Sequence, residues 1–410
     1  MPGRGIAPRQ PGAIAPEGGA PSRKAGREVT AHSAERPTAW QEVTIPGATP
    51  LSAKAPEAND PMPVTPTEGS RTPSLTDDVT VGPVTLHGRL AIPPMACGRA
   101  SRSGEVTEEL LARDWRLLQG GAPGVLSLVT LEHHYVSPEG RATPGQPSAS
   151  RDGDTEGLSR EADVVHASGA RAFLQLSHAG SAASSRLTGQ PTLAASAVAC
   201  PGAKPGHELP HAMTEQEVER VVADFARAAA RARLAGFDGV EVHAAHGYLL
   251  DQFLSPLTNH RADRWGGGLE GRARLLLRVV EAVRRELGSG MALSVRLGAC
   301  DYLPGGLSID EGVQVARWCE ARGADLLSVS GGMRYYSRVG HDEPGWFADA
   351  SRAVRAAVGV PVMLAGGVRT LAQAQDLVRG GACDLVGVGR AIANNPKWLA
   401  RELRRQGLSR

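Results

Sequence analysis

After residue 80, short apolar runs alternate with longer amphipathic patterns, and this alternation constrains the fold more than any other feature of the chain. Repeating strand–helix units imply a parallel sheet with helices packed on it. The apolar runs are short enough to be buried strands. They are Leu90–Met95, Val125–Leu131, Ala172–Leu176, Gly239–His243, Ala292–Leu297, Leu326–Ser330, Val360–Ala365 and Leu385–Val388.

Helical patterns, with apolar residues at three- and four-residue spacing, lie between most of these runs. Two of them begin with a capping box, Thr214 with Glu217 and Ser308 with Glu311. Eight strands over this length predict an α/β fold of the (β/α)8 TIM barrel type, although an open doubly wound sheet alternates in the same way. The helical patterns are Thr107–Gln119, Leu158–Ser168, Glu215–Ala235, Gly271–Leu287, Ile309–Arg322, Trp346–Val358 and Leu371–Arg379.

Residues 1–75 differ in composition from the rest of the chain. Met1–Pro73 is rich in Pro, Ala, Gly, Ser and Thr and has little periodicity. Such a segment cannot bury enough apolar area to offset its ordering entropy. We therefore predict a disordered tail at residues 1–75 and one barrel domain at residues 76–410. A transit peptide is the alternative to a dispensable tail or a misplaced start codon, and the continuous apolar core of a secretory signal is absent.

Charge and cysteine usage exclude several classes of partner. The formal net charge of +2 argues against nucleic acid or a membrane surface as an obligatory partner. No apolar run is long enough to span a bilayer. The five cysteines have neither metal-ligand nor disulfide spacing, so we predict no metal site and reduced thiols in the cytoplasm. The sequence leaves the oligomeric state open, with a homo-oligomer as one of the states considered.

The chain presents His243, His246 and Tyr248 where the fourth predicted strand ends. In a TIM barrel the functional site lies at the C-terminal ends of the strands. Two imidazoles and a phenol so placed can bind a developing oxyanion and deliver a proton nearby. One such residue alone would more often cap a strand or pack in the core. All three together favour a catalytic site.

Two glycine-containing turns predict a phosphate site. Gly366 and Gly367 follow the seventh predicted strand, and Gly389 and Arg390 follow the eighth, which are the usual phosphate positions in this fold. Glycine lets backbone N–H groups approach phosphate oxygens, and an arginine adds a charge-assisted contact. These residues specify a phosphorylated ligand only. The alternative interpretation is that the glycines have a structural role only, in the turns that connect each strand to the following helix.

A family resemblance covers about Thr80 to Leu403. The segment HAAHGYLLDQFLSPLTNHRADRWGG, residues 243–267, resembles the signature of the old yellow enzyme family of flavin-dependent ene-reductases, especially its bacterial branch. Further blocks resemble those of the family and occur in the family's order. They are Ile92–Ala96, Gln175–Gly180, Val295–Leu297, Ala365–Gly367 and Val388–Arg390.

The resemblance implies FMN as the cofactor and assigns residues to it. Pro94, Met95 and Ala96 would lie along the flavin edge, and Gln175 would bond its pyrimidine edge. Arg296 would lie near N1 and the C2 carbonyl, where a fixed cation stabilises the anionic reduced flavin. NADPH or NADH would reduce the flavin first.

The resemblance also implies the substrate and the roles of the three rings. An α,β-unsaturated carbonyl compound would receive hydride from flavin N5 on its β-carbon. His243 and His246 would hold the carbonyl oxygen, and Tyr248 would protonate the α-carbon.

Several positions depart from the family pattern. Ala96 stands where the bacterial branch often has a cysteine, and small residues around Gly98 replace a tyrosine. Ser181 stands in place of the usual arginine, and Gly271 in place of the usual asparagine. These departures concern the substrate more than FMN.

Two further segments carry hypotheses without a role. The insertion Gly180–Met213 is expected to form a flap or hairpin beside the site mouth. His133 and His134 follow the second predicted strand, and either could be a simple surface residue.

Three alternatives remain open. The same barrel could oxidise its substrate, for example by N-demethylating a methylated amine. A flavin-free phosphate-binding barrel, an aldolase or isomerase, is weakened because Lys397 is the only lysine past the insertion. The third is a non-catalytic flavin-binding or scaffold protein, which the intact set of two histidines and a tyrosine disfavours.

Overall fold

The computed structural model describes residues 72–120, 125–201, 207–333, 335–338 and 340–406. All of them belong to one unit, Thr67–Arg410. The predicted disordered tail lies outside the described residues except for its last four. Of these four, Leu75 is buried and donates its backbone N–H to Oε1 of Gln375.

Eight parallel strands close into a barrel in chain order, and each neighbour pair is hydrogen-bonded in parallel. This confirms the predicted (β/α)8 TIM barrel. The strands are β1 Leu90–Ile92, β2 Leu126–Tyr135, β3 Arg171–Ser177, β4 Gly239–Ala244, β5 Ala292–Gly298, β6 Leu326–Ser330, β7 Val362–Ala365 and β8 Leu385–Gly387.

One helix of the outer ring follows each strand. Polar N-cap side chains begin four of these helices, and the predicted capping boxes at Thr214 and Ser308 are both present. Short helices at Ser185–Thr188, Leu249–Leu254 and Arg390–Asn394 lie in loops that follow β3, β4 and β8. The ring helices are α1 Glu108–Leu118, α2 Thr155–His166, α3 Glu215–Leu234, α4 Leu269–Leu287, α5 Ile309–Glu320, α6 Ala348–Arg355, α7 Leu371–Arg379 and α8 Trp398–Arg405.

An antiparallel pair of short strands, Val79–Val81 with Val84–Leu86, packs against the inside of the barrel. Its buried side chains join inward-facing residues near the strand starts, among them Phe173 and Leu385, in a separate apolar cluster. Apolar packing thus fills the barrel at its N-terminal end. The polar side chains that point into the barrel lie toward its C-terminal end, which is where TIM barrels have their functional sites.

Several predicted boundaries differ from the observed ones. Strand β1 ends at Ile92 rather than Met95, because Pro93 and Pro94 have no N–H for the ladder. Strand β2 continues to Tyr135 rather than ending at Leu131, past an irregularity in its pairing with β3. Helix α6 is shorter than predicted at both ends.

The described part of the long connection after β3 contains no hairpin. Its two short strands, Leu193–Ala194 and His211–Ala212, pair in parallel, whereas a hairpin would be antiparallel. Residues 202–206 of this connection lie outside the described part.

Candidate active site

The loop after β4 brings three predicted rings together. His243 is near the end of β4, and the chain then turns through His246 and Gly247 at φ angles of 61° and 71°. A positive φ is uncommon for a residue with a Cβ, so surrounding contacts must impose it. The turn leaves the His243 ring centroid 5.0 Å from that of His246 and 4.9 Å from that of Tyr248.

Hydrogen bonds hold this loop from both sides. Nε2 of His246 lies 2.7 Å from the hydroxyl oxygen of Ser330 at the end of β6, and its backbone N–H donates to the carbonyl of Gly331 at 3.2 Å. Gly247 donates its N–H to Asp251 Oδ2 at 2.7 Å. The His246 ring and the turn that leads to Tyr248 are thereby fixed before any ligand binds, which lowers the cost of ordering them.

Protonation states follow from burial. Burial lowers the pKa of both His243 and His246 well below the usual value, and the charge of Arg296 adds to the effect. Burial also raises the pKa of Tyr248 to about 12, with a smaller contribution from Tyr335. At neutral pH the site therefore presents two neutral imidazoles and a protonated phenol.

Arg296 on β5 is a charged group beside these rings in the sheet, since it pairs in register with His243 on the neighbouring strand β4. It is 5% exposed, and its Nε and Nη1 have no hydrogen-bond partner in the described structure. Burial lowers the pKa of this guanidinium, while the negative charge of Glu241 opposes the shift. Buried donors without partners are rare in native proteins and indicate a ligand with acceptor atoms.

Glu241 lies inside the barrel and accepts hydrogen bonds from side chains on the two neighbouring strands. Nε2 of Gln175 donates to its Oε1 at 2.8 Å, and Oγ of Ser294 donates to its Oε2 at 3.0 Å. Burial raises the pKa of this carboxyl, and Arg296 opposes that shift. Gln175 is thus oriented by a group on the next strand, with its Oε1 left to accept from elsewhere.

The two glycine turns need glycine. Gly366 and Gly367 have φ angles of 150° and 69°, and a Cβ on Gly367 would lie 2.7 Å from Nε1 of Trp346. That Nε1 is buried and unpartnered among the residues described, and the Arg390 guanidinium lies 4.7 Å from the Trp346 ring centre. A Cβ on Gly389 would lie 3.0 Å from Sδ of Met95. The turns therefore place half-buried glycine backbone near the Arg390 cation.

The segment after β1 meets this end of the barrel as well. Pro94 and Met95 are half-buried and Ala96 is exposed. The thiol of Cys97 donates to Oε1 of Glu132 at 2.7 Å, and burial with the Glu132 charge raises its pKa to about 12. Cys97 is a hydrogen-bonded thiol rather than a reactive thiolate.

All predicted site residues thus lie at or beyond the C-terminal halves of six strands. The contacts bring His243, His246, Tyr248 and Arg296 into one group, and Gln175 joins it through Glu241. A second group links the glycine turns and Arg390 through Trp346.

Sequence reasoning missed several members of the site. A carboxylate inside an apolar strand is a readable signal, because it is costly to bury without partners, and Glu241 had that signal. Ser330 and Trp346 had no local signal, since their partners lie far away in the chain.

The surface interpretation of His133 and His134 is wrong. His134 is fully buried and lies 3.0 Å from Glu161. The His133 ring meets the Tyr248 ring edge-on at 5.6 Å, and its Nδ1 lies 2.6 Å from Nε2 of Gln146. The two side chains leave opposite faces of β2, with His133 toward Tyr248 and His134 toward α2, because β2 continues past its predicted end.

The sequence model of the NADH:flavin oxidoreductase / NADH oxidase family matches residues 74–406. That span includes every barrel strand and all the site residues above. The chain belongs to this family, that of the old yellow enzymes.

Relatives agree with this membership. The chain is 33% identical over 335 residues to an NADH oxidase of Thermoanaerobacter brockii, covering 80% of this chain and 50% of that protein. It is 32% identical over 316 residues to an NADPH dehydrogenase of Halalkalibacterium halodurans, covering 77% of this chain and 89% of that one. The chain thus spans about half of some relatives and most of others.

Solved old yellow enzyme structures have the same barrel. A homologue from Zymomonas mobilis superposes with a TM-score of 0.69 at 28% identity, covering 82% of this chain and 94% of that chain. A morphinone reductase variant in complex with tetrahydroNAD superposes with a TM-score of 0.67 at 27% identity, covering 82% and 92%.

FMN is the cofactor of this family, and the residues present fit it. The unpartnered donors of Arg296 match a ring that carries carbonyl and nitrogen acceptors. The glycine turns beside Arg390 match a phosphate. No group of three or more His, Cys, Asp and Glu side chains that could hold a metal occurs in the described ranges. None of the helices described is long and apolar enough to cross a membrane.

Proposed function

We propose that the protein uses NADPH or NADH to reduce the C=C bond of α,β-unsaturated carbonyl compounds, with FMN as the bound cofactor. The observation that carries this proposal is the packing of two neutral imidazoles against one protonated phenol, His243 and His246 with Tyr248. Neutral imidazoles can donate hydrogen bonds to a carbonyl oxygen, and the phenol is a proton donor within the same group.

His243 and His246 bind the carbonyl oxygen and stabilise the negative charge that develops on it. Ser330 orients the His246 ring through its 2.7 Å contact with Nε2. Tyr248 gives its proton to the α-carbon. FMN, when bound, supplies the hydride that it has taken from the nicotinamide.

The cofactor contacts belong to the same proposal. Pro94, Met95 and Ala96 line the flavin edge, and Gln175 bonds the pyrimidine edge with its free Oε1. Arg296 neutralises charge on the reduced ring. A further set binds the phosphate: Gly366, Gly367, Gly389 and Arg390.

The test is the visible spectrum of the purified protein in an anaerobic cuvette, first with NADPH and then with cyclohexenone. We expect a flavin spectrum that bleaches with NADPH and returns with the enone. Bleaching without return would contradict enone reduction and leave the flavin assignment intact. Bleaching by a methylated amine without nicotinamide would replace the proposal by the oxidative alternative. A protein that binds no FMN on reconstitution would overturn the cofactor as well.

The domain assignment is also a proposal. Residues 76–410 form the FMN-binding barrel, residues 72–75 pack against it through Leu75, and residues 1–71 are dispensable for it. The five cysteines are all free, in keeping with a cytoplasmic protein. A chain that begins at residue 72 keeps the contacts of Leu75 with Gln375 and is expected to bind FMN with unchanged affinity in a fluorescence titration. Loss of binding would contradict the assignment.

A further inference from the structure

Two buried carboxyl groups that have no role in the proposed chemistry lie beneath the loops that carry it. Asp251 is in the short helix after Tyr248, Asp301 follows β5, and both are 0% exposed. They meet at the backbone of Gly332, where an added Cβ would lie 2.3 Å from Asp301 Oδ1 and 3.4 Å from Asp251 Oδ1. The two carboxyls therefore face one another across a glycine.

Asp301 acts only as an acceptor. Its Oδ2 receives hydrogen bonds from the Ser255 hydroxyl at 2.6 Å and the Leu307 N–H at 2.7 Å. Its Oδ1 receives the Met333 N–H at 3.0 Å. Three donors on two oxygens are the environment of an ionised carboxylate.

Asp251 has a different environment. Its Oδ2 accepts the N–H of Gly247 at 2.7 Å, whereas its Oδ1 is buried with no partner among the described residues. A second ionised carboxylate facing Asp301 would be buried without a cation, which is expensive. Burial and the charge of Asp301 accordingly raise the pKa of Asp251 well above its usual value.

We propose that Asp251 and Asp301 share one proton, carried on Oδ1 of Asp251, and that this pair is the positioning element for His246 and Tyr248. The proposal rests on the proposed function of those two residues. Protonation of Asp251 removes one of two like charges that are buried near one another and turns its unpartnered Oδ1 into a possible donor.

The pair holds the proposed catalytic loop from two directions. Asp251 binds the N–H of Gly247, the residue between His246 and Tyr248, where the backbone is left-handed. Asp301 binds the N–H of Met333. Met333 closely follows Ser330 and Gly331, the residues that hydrogen-bond His246. A change in the pair would therefore move His246 relative to Tyr248.

Deprotonation should loosen this arrangement. Few titratable groups face the pair: Glu311, whose charge raises the pKa of Asp301, and the thiols of Cys200 and Cys300. Glu311 is itself paired with Arg272 at 2.6 Å. When the shared proton leaves at high pH, two like charges face each other. The step that uses Tyr248 then slows, whereas flavin reduction by nicotinamide needs no proton from Tyr248.

The experiment compares Asp251→Asn with Asp301→Asn in the full-length holoenzyme. An asparagine at 251 can keep an acceptor for Gly247 and carries no charge, as the protonated acid does. An asparagine at 301 must point its amide N–H groups at the Ser255 hydroxyl, the Leu307 N–H or the Met333 N–H, which are themselves donors, so at least one of these hydrogen bonds is lost. Asp325→Asn is the control, because Asp325 lies before β6 at the opposite end of the barrel and binds the Leu293 N–H.

Stopped-flow kinetics of the two half-reactions provide the first readout. We expect Asp301→Asn to slow enone reduction by about 30-fold, equivalent to one lost charged hydrogen bond, with FMN still bound. Asp251→Asn should slow it less than about threefold and abolish its decline at high pH. The reverse ranking would overturn the position of the proton, and equal slowing of both half-reactions would overturn the positioning role.

The infrared band of a buried carboxylic acid provides a second readout that needs no enone chemistry. Because burial also raises the pKa of other carboxyl groups, among them Asp114 and Glu241, the band is assigned from difference spectra: one component present in the wild type and in Asp325→Asn should be missing from Asp251→Asn. A wild type that shows the band yet reduces no enone would contradict the proposed function alone. A wild type without the band would contradict the shared proton alone.

Discussion

Gln175 on β3 donates a 2.8 Å hydrogen bond from its Nε2 to Oε1 of Glu241 on the neighbouring strand β4. This contact determines which end of the Gln175 amide is free. The Oε1 atom is left as an acceptor, which suits a flavin N–H and would not suit a flavin carbonyl. Glu241 is therefore a positioning residue for the proposed FMN contact of Gln175.

Replacing Glu241 by glutamine is expected to weaken FMN binding about tenfold, because a neutral amide cannot accept from Gln175 and Ser294 without turning an N–H toward one of them. A titration of apoprotein with FMN, followed by flavin fluorescence, measures this. Ser294→Ala, which removes one donor and leaves the carboxylate, should weaken binding less. Equal affinities in Glu241→Gln and the wild type would contradict the role of Glu241.

Tyr248→Phe is expected to slow enone reduction by about a hundredfold or more, because general acid catalysis contributes that much. Flavin reduction by NADPH should change little, since it requires no proton from the phenol. Rapid-mixing kinetics separate the two half-reactions. Tyr302→Phe is the control, because the Tyr302 hydroxyl bonds Asp349 at 2.8 Å rather than the ring cluster. If both half-reactions slow equally, Tyr248 is not the proton donor.

Because His178 is buried in its neutral form, the protein is expected to lose stability in acid. Burial, with a smaller contribution from Arg220, lowers its pKa to about 3. The unfolded chain takes up this proton near the ordinary histidine value, so the contribution to stability is complete above that value and is lost as the pH falls toward about 3.

Between neutral pH and about pH 5, the wild type should therefore lose about 2 kcal/mol of unfolding free energy through this group. His178→Gln should remove that part of the decline, although it is less stable at neutral pH because the bond from the Gly180 N–H to Nδ1 is altered. Urea unfolding at several pH values measures the difference. If the unfolding free energies of the wild type and His178→Gln fall in parallel as the pH is lowered, His178 is not the group responsible for this part of the decline.

Gly271 is expected to tolerate no side chain. A Cβ there would lie 2.0 Å from the carbonyl oxygen of Gly266. Gly271→Ala should therefore destabilise the fold by about 2 kcal/mol or more, although helix propensity alone favours alanine by about 1 kcal/mol. Gly153→Ala, with nothing within 4 Å of its Cβ, is the matched control for urea unfolding. A stabilised Gly271→Ala variant would contradict the contact.

The close approach of Gly271 to the Gly266 carbonyl also explains why this chain departs from the family pattern at residue 271. An asparagine, the residue that the family pattern has there, would place its Cβ against the Gly266 carbonyl. This chain has a backbone approach at that point which only glycine permits.

Periodicity was sufficient to predict the alternating strands and helices, because each of them must bury one face and the spacing of apolar residues records which face. It left an open doubly wound sheet as the alternative to the barrel, and closure of the sheet is decided by the tertiary structure. The ring cluster was predictable for a similar reason. His243, His246 and Tyr248 are so close in the chain that a single turn at the end of β4 brings them together. Local sequence therefore determined the alternating strands and helices and the proposed catalytic residues.

Only the tertiary structure decided what surrounds those residues. Ser330 reaches His246, Glu241 reaches Gln175, and Asp301 faces Asp251 across contacts between different strands or loops. Local propensity contains no information on such pairs, because closing the barrel is what brings their strands side by side. The same closure buries these polar groups, and burial shifts the pKa values on which the proposed chemistry depends.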